Sequence, residues 1–311
     1  MTAAFPGCCP KKDRWGYIMQ ESETKGNLVE RMIRSGKRLS KGHRRIAQYI
    51  EEHSDKAVSM TASRLGECVG VSESTVVRFA TALGYEGYPA FQRAMNEVVN
   101  HRLTANQRVE MSAELNPHEV FGMVMKSDMR NLRATLDSLD SEVFDQAVNR
   151  ILSARSIYVM GLRSAAPLAQ FLGYYLNYIF DQVRLVSSGS TDVFEEIVKL
   201  QHNDVMIGIS FPRYSSRTVE AMRFAKRCGA QVVAITDGPM SPLWSVADVT
   251  LTARTDMASF VDSLAAPLSL INALLVSLGL HRREALQQHF RQLENIWDTY
   301  QVYSGEENDN G

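Results

Sequence analysis

The sequence predicts an α/β protein in two parts. An all-α N-terminal domain carrying a helix-turn-helix comes first, then a three-layer α/β/α domain on a five-stranded parallel sheet. Three observations carry this reading. From Leu28 to about His101 the apolar pattern is helical and contains no strand. Beyond residue 153, five short and nearly continuous apolar runs appear, the first four separated by helical segments. The loops after the first three runs are rich in hydroxyls. A length of 311 residues suits two domains of roughly 100–200 residues each. The domains read as 26–101 and 117–303, joined by a polar linker at 102–116. A flexible arm (1–25) and a disordered acidic tail (304–311) flank them.

In the first domain, "LSKGHRRIAQYIEEHSDKAV" places Leu39, Ile46, Ile50 and Val58 at apolar positions. The stretch "TASRLGECVGVSESTVVRFATALGY" (61–85) then reads as helix, glycine turn, helix. Leu65 and Val69 mark the inner face of the first helix, Gly70 the turn, and Ser72 the N-cap of the second helix. Val76 faces the core, leaving Ser74, Thr75 and Arg78 outward. In a DNA-binding helix-turn-helix the second helix lies in the major groove with its N-terminal residues at base edges. Arg78 can contact guanine with two hydrogen bonds, Ser74 and Thr75 can bond bases or phosphate, and Glu73 can accept from cytosine. Glu73 can equally serve as a first-turn acid. Lys37, Arg38, Lys41, Arg44 and Arg45 form a basic end suited to phosphate. The plainer alternative is a helical hairpin with a solvated charged face.

Past the linker, 117–153 is helical, with Leu132, Leu136 and Leu139 at helical spacing. The strands follow at 156–161, 183–187, 204–210, 231–237 and 248–253, and two helices close the domain at 258–279 and 282–303. Short β-rich runs alternating with helices make βαβ units and a sheet covered on both faces. In such a sheet ligands bind beyond the C-terminal strand ends, at the topological switch point. "MGLRSAAP" brings Gly161, Arg163 and Ser164 there. "VSSGSTD" brings Ser187, Ser188, Ser190 and Thr191. "ISFPRYSS" brings Ser210, Arg213, Ser215 and Ser216. Hydroxyls and free amides at helix starts hold anions. Helix capping and turn formation alone would explain any one of these loops, but three converge on one sheet edge.

Several classes are excluded. No Gly-x-Gly-x-x-Gly or GxxxxGK[ST] occurs, so no dinucleotide or Walker-type site is expected. Seven scattered histidines and four cysteines (Cys8, Cys9, Cys68, Cys228) lack metal-ligand spacing, so no metal and no cofactor is expected. The net charge of −1 confines any nucleic-acid contact to a local basic patch. No signal peptide or membrane span is read. The uncharged run Leu264–Leu280 is broken by Pro267 and Asn272 and reads as a buried helix. A cytoplasmic location is expected.

Both signals together resemble the RpiR family of bacterial transcriptional regulators, which carry a SIS (sugar isomerase) domain. The residues that carry the resemblance are "GVSESTVVRFATALGYEGYPAFQ", "IYVMGLRSAAPLAQ", "DVMIGISFPRYSSRTVEAMRFAKRCGAQVVAITD" and "DSLAAPLSLINALL". It implies a homodimer or homotetramer on near-palindromic double-stranded operator DNA, answering to a sugar phosphate or related acidic metabolite. The family's Ser-x-Ser-Gly-x-Thr loop falls on Ser210-Phe211-Pro212-Arg213-Tyr214-Ser215, so Pro212-Arg213 replaces Ser-Gly. Pro212 removes an amide donor. Arg213 carries a Cβ poorly suited to positive φ, so the backbone cradle is expected to be altered. In exchange Arg213, and Arg163 beside it, offer guanidinium groups that grip phosphate or carboxylate. Phe211 or Tyr214 can stack on a ligand or wedge the loop against the sheet.

A metabolite-responsive regulator is therefore the leading reading, and no catalytic residue is assigned. The alternatives are an aldose–ketose sugar-phosphate isomerase, with Glu195, Glu196 or Glu220 as base, and a SIS module that has lost its ligand and serves dimerisation only.

Overall fold

The computed structural model describes residues 39–58, 60–100, 105–112, 115–187, 192–257 and 259–303. The chain divides into two compact units, Met1–Leu103 and Thr104–Gly311.

The first unit is helical throughout its described residues: α1 (Lys41–Glu52), α2 (Ser54–Ala57), α3 (Ala62–Val69), α4 (Glu73–Ala82) and α5 (Tyr88–Asn100). Ser40 caps α1 by accepting from the His43 amide, and Thr61 caps α3 by accepting from Arg64. Gly70 ends α3 in the left-handed region, φ 71°, which turns the chain sharply into α4. Ile46, Leu65, Val76, Phe79 and Phe91 are fully buried and form the core, with Phe79 and Phe91 edge to face at 5.5 Å. Leu39, Ile50 and Val58 join them as the periodicity predicts. The Tyr88 hydroxyl donates to the Met60 carbonyl at 2.8 Å, and burial pushes its pKa up to about 12.

The second unit begins with a difference. Residues read as a featureless linker hold a helix, α6 (Ala105–Ser112), whose Arg108 is only 5% exposed. Its one buried cation supplies an anchor that a search for apolar periodicity does not register. The helical stretch at 117–153 is two helices, α7 (Val120–Ser138) and α8 (Ser141–Leu152), with Asp140 capping α8. α7 buries polar residues: Asn131 donates to the Asp256 carbonyl (2.9 Å), and Thr135 accepts from the Arg254 amide (2.9 Å). Asp128 accepts from Ser263 at 2.6 Å. The regularly spaced Leu132, Leu136 and Leu139 are exposed, in company with Phe121, Met125 and Met129.

Five parallel strands follow: β1 (Ile157–Gly161), β2 (Val183–Val186), β3 (Val205–Ile209), β4 (Gln231–Thr236) and β5 (Val249–Thr252). Their order is β2-β1-β3-β4-β5, with Val159 level with Leu185 on one side and Ile207 on the other. Alternate side chains divide between two cores. Ile157, Val159, Ile207 and Ile235 pack with α8, α9 (Ala166–Ile179) and α12 (Ala265–His281). Tyr158, Met160, Met206 and Val232 pack with α10 (Val193–Glu196) and α11 (Ser216–Arg227). This is the expected three-layer α/β/α arrangement. α12 is the buried helix read from its uncharged sequence, although it begins at Ala265 and leaves 259–264 non-helical. α13 (Arg283–Tyr300) buries no residue. Among the described residues no single helix is long and apolar enough to cross a membrane.

At the N-terminal strand ends, Arg155 grips Asp204 with two hydrogen bonds of 2.9 and 2.8 Å. Burial alone would raise the Asp204 pKa. The guanidinium, together with the Gln201 amide, outweighs it and holds the carboxyl below its usual range.

Candidate functional site

Each unit carries its own candidate site. In the first, α3, the Gly70 turn and α4 form the helix-turn-helix. Arg78, Glu73 and Ser74 are exposed, Thr75 is half-buried and Val76 is buried, as the spacing predicts. Ser72 is the N-cap residue of α4 but bonds no backbone amide. Its hydroxyl lies 3.0 Å from Ser74 Oγ and 2.8 Å from Thr75 Oγ1, so three hydroxyls are joined at the helix start. The expected amide cap gives way to this side-chain cluster.

His43 of α1 meets Phe79 edge-on at 5.6 Å, and burial first, then the nearby Arg78 charge, lowers its pKa. Its imidazole therefore favours the neutral form beside α4. Lys41 is exposed, while the Arg44 guanidinium turns back to the Leu39 carbonyl at 3.1 Å. Arg45 reaches the Gly70 carbonyl at 3.4 Å and so braces the turn. Lys37 and Arg38 lie outside the described residues.

The second unit holds a cavity of about 380 Å³ at the C-terminal ends of β1 and β3. β1 and β3 are neighbours, and the crossover from β1 to β2 runs to one side while that from β3 to β4 runs to the other. This is the topological switch point, where parallel sheets open a crevice. The β1 loop contributes Leu162, Arg163, Ser164 and Ala165, and the β3 loop Ser210, Phe211, Pro212, Arg213 and Ser215. Arg163, Ser164, Ser210, Arg213 and Ser215, all expected from the sequence, come together in the cavity. It does not include the others. Gly161 ends β1, and a Cβ there would meet the Ala165 carbonyl oxygen at 2.7 Å. Its role is close helix–strand packing. The Ser187 amide donates to the Glu196 carboxylate, Ser216 sits exposed in the first turn of α11, and neither lines the cavity. Ser188, Ser190 and Thr191 lie outside the described residues.

Backbone geometry corrects one expectation. Arg213 has φ 67° and Arg163 φ 58°, both in the left-handed region. The arginine at the family's glycine position keeps the conformation glycine would take. The neighbours of Arg213 enforce it. Ser210 Oγ accepts from the Ser215 amide (3.1 Å), and the Ser210 carbonyl accepts from Thr236 (2.7 Å). The Tyr214 hydroxyl donates to Asp237 (2.8 Å), and Ser215 caps α11 by accepting from the Thr218 amide (3.3 Å). Left-handed residues other than glycine persist only where surroundings over-determine them, and they gather at ligand sites. Phe211, 5% exposed, belongs to the core and floors the cavity. Tyr214 is tied to Asp237, the residue after β4, and does not line the cavity.

Four lining residues were not legible in the sequence: Arg108 and Val109 of α6, and Phe260 and Asp262 before α12. Arg108 and Asp262 form an ion pair of 2.7 Å with side chains 5% and 15% exposed. They are far apart in sequence, and only the tertiary fold joins them.

A helix-turn-helix unit followed by a switch-point α/β/α unit of this topology defines a two-part transcriptional regulator. The family comparisons agree with both halves. Residues 26–101 match the helix-turn-helix domain of the rpiR family and residues 150–277 match the SIS domain. This chain belongs to the RpiR family of transcriptional regulators. It is 25% identical over 276 residues to the HTH-type transcriptional regulator HexR of Pseudomonas aeruginosa, covering 86% of this chain and 94% of that one. HexR of Escherichia coli is 23% identical over 278 residues, covering 86% and 93%. Among solved structures, the sugar isomerase domain of an RpiR transcription factor from Sphaerobacter thermophilus is 28% identical, with a TM-score of 0.55, covering 57% of this chain and all but 1% of that one (99%). The Vibrio vulnificus NanR protein, complexed with ManNAc-6P, shares the fold at 20% identity and a TM-score of 0.55, covering 90% of this chain and 100% of that one.

Proposed function

We propose that this regulator senses a phosphate-bearing or related acidic metabolite in the β1–β3 cavity and changes its operator affinity in response. One observation carries the reading: two arginines, Arg163 and Arg213, sit in left-handed backbone at the two loops of the switch point, beside Ser164, Ser210 and Ser215. A guanidinium offers planar, paired donors matched to phosphate and carboxylate. The ligand must bind one arrangement of the protein better than another, or it shifts nothing.

The operator is double-stranded and near-palindromic, read by a homodimer or homotetramer. A dimer must present its α4 helices about 34 Å apart, one turn of DNA. The exposed apolar residues of α7 (Phe121, Met125, Met129 and Leu136) support self-association. The protein works in the cytoplasm and catalyses nothing. An isomerase needs a base placed at the sugar carbons, whereas the helix-turn-helix unit and the relatives named as transcriptional regulators favour DNA binding over catalysis.

The test is a thermal-shift screen against sugar phosphates and organic acids, with a footprint on DNA from beside the gene. A phosphorylated ligand should raise Tm and alter protection. Absence of any shift across the screen overturns the effector reading. Arg78→Ala should weaken specific binding by about 1–3 kcal/mol, and an unchanged footprint would remove Arg78 from base reading.

A further inference from the structure

We propose that Arg108 is a ligand-binding residue supplied by α6, and that Asp262 is a built-in anion which the effector must displace from it. The inference rests on the effector reading above and deepens it. Three of the cavity's lining residues are arginines: Arg163 from the β1 loop, Arg213 from the β3 loop and Arg108 from α6. Asp262 is the single acidic residue among the described lining residues. Its carboxylate accepts from Arg108 at 2.7 Å, and both residues line the cavity an anion would enter.

A phosphate meeting Arg163 and Arg213 there encounters Asp262 as a like charge. The same phosphate is an alternative partner for Arg108. Occupation of the cavity therefore exchanges one carboxylate for another anion at the Arg108 guanidinium. In a largely buried setting this exchange is strongly felt, because charges there are poorly screened. The arrangement sets a threshold: the resident carboxylate weakens binding until the metabolite is abundant. α6 is the first helix of the second unit in sequence, so the anion's hold on Arg108 falls at the start of that unit.

Titration calorimetry of the full chain with inorganic phosphate, and with the best sugar phosphate from the screen, tests this. The variants are Arg108→Gln and Asp262→Asn, the latter keeping size and an acceptor oxygen. Asp262→Asn should bind about tenfold tighter and Arg108→Gln at least about tenfold weaker. The opposite signs are the signature, since an ion pair with only a structural role would weaken binding in both. If the native chain binds and both variants weaken, or neither changes, the Arg108–Asp262 role is overturned while the effector reading stands. If no protein of the three binds any anion, the effector reading itself fails. Should a variant not fold, hydrogen exchange on the native chain decides. Saturating ligand should loosen amides 259–262 while those of 143–151 in α8 hold steady, and unchanged exchange at 259–262 overturns the proposal.

Discussion

Replacing Arg213 separates what its backbone costs from what its side chain does. A left-handed residue with a Cβ is disfavoured by about 1–2 kcal/mol, and Arg213 holds φ 67°. Arg213→Gly removes that penalty. It also loosens the unfolded chain, which offsets about 0.4–1 kcal/mol. The balance is a gain of about 0.5–1 kcal/mol, or roughly 2 °C in Tm for a domain of this size. Arg213→Ala keeps the penalty, since alanine retains the Cβ, and should leave Tm near that of the native chain. Both variants lose the guanidinium and should lose affinity for a phosphate-bearing ligand by a similar factor, about tenfold or more. Differential scanning calorimetry reports the first effect and titration with the ligand the second. If Arg213→Ala proves as stable as Arg213→Gly, the left-handed turn stores no strain and the reasoning fails. If Arg213→Gly binds as well as the native chain, the side chain has no part in holding the anion.

Other positions give independent checks. Gly161→Ala places a methyl 2.7 Å from the Ala165 carbonyl oxygen. It should cost about 1–3 kcal/mol as overpacking, read from the urea midpoint. Gly70→Ala forces a Cβ into φ 71° and should destabilise the first unit by about 1–2 kcal/mol, seen as faster exchange of the α3 and α4 amides. Arg155→Met leaves Asp204 buried without its guanidinium. Asp204 has a lowered folded pKa, so its stabilisation is present above the ordinary carboxylate range and is lost as pH falls through the lowered value. In the variant, burial raises that pKa without the opposing guanidinium, so acid unfolding followed by circular dichroism should move to higher pH. An unmoved midpoint would mean the pair does not govern acid stability.

Much of the fold was legible because its signals are local. The Gly70 turn, the buried Val76 and the five apolar strand runs each follow from a few adjacent residues, and the structure agrees with all of them. Five of the cavity residues were legible for the same reason, lying in loops at strand ends where parallel sheets bind ligands. The other four depend on contacts between distant segments. Arg108 looked like a linker residue because one charged side chain makes no period. α7 misleads differently. It turns hydrogen-bonding groups inward to hold the 254–263 segment, so its leucine spacing marks the outer side and not the core. The left-handed backbone of Arg213 does not follow from intrinsic preference, because the Ser210, Thr236 and Tyr214–Asp237 hydrogen bonds around it overrule that preference.

The Arg155–Asp204 clasp bears on how a signal can leave the cavity. It joins the residues that enter β1 and β3, the two strands whose far ends carry the arginine loops. Those strands are thus pinned at one end and hydrogen-bonded along their length. Both features oppose a forceps-like spreading of the two strands. If a ligand enters the cavity as proposed, rearrangement falls to parts outside the strand ladder, such as the side chains of the two loops and the Arg108–Asp262 pair. The sheet acts as the fixed anvil of the device, and information has to travel around it instead of through it.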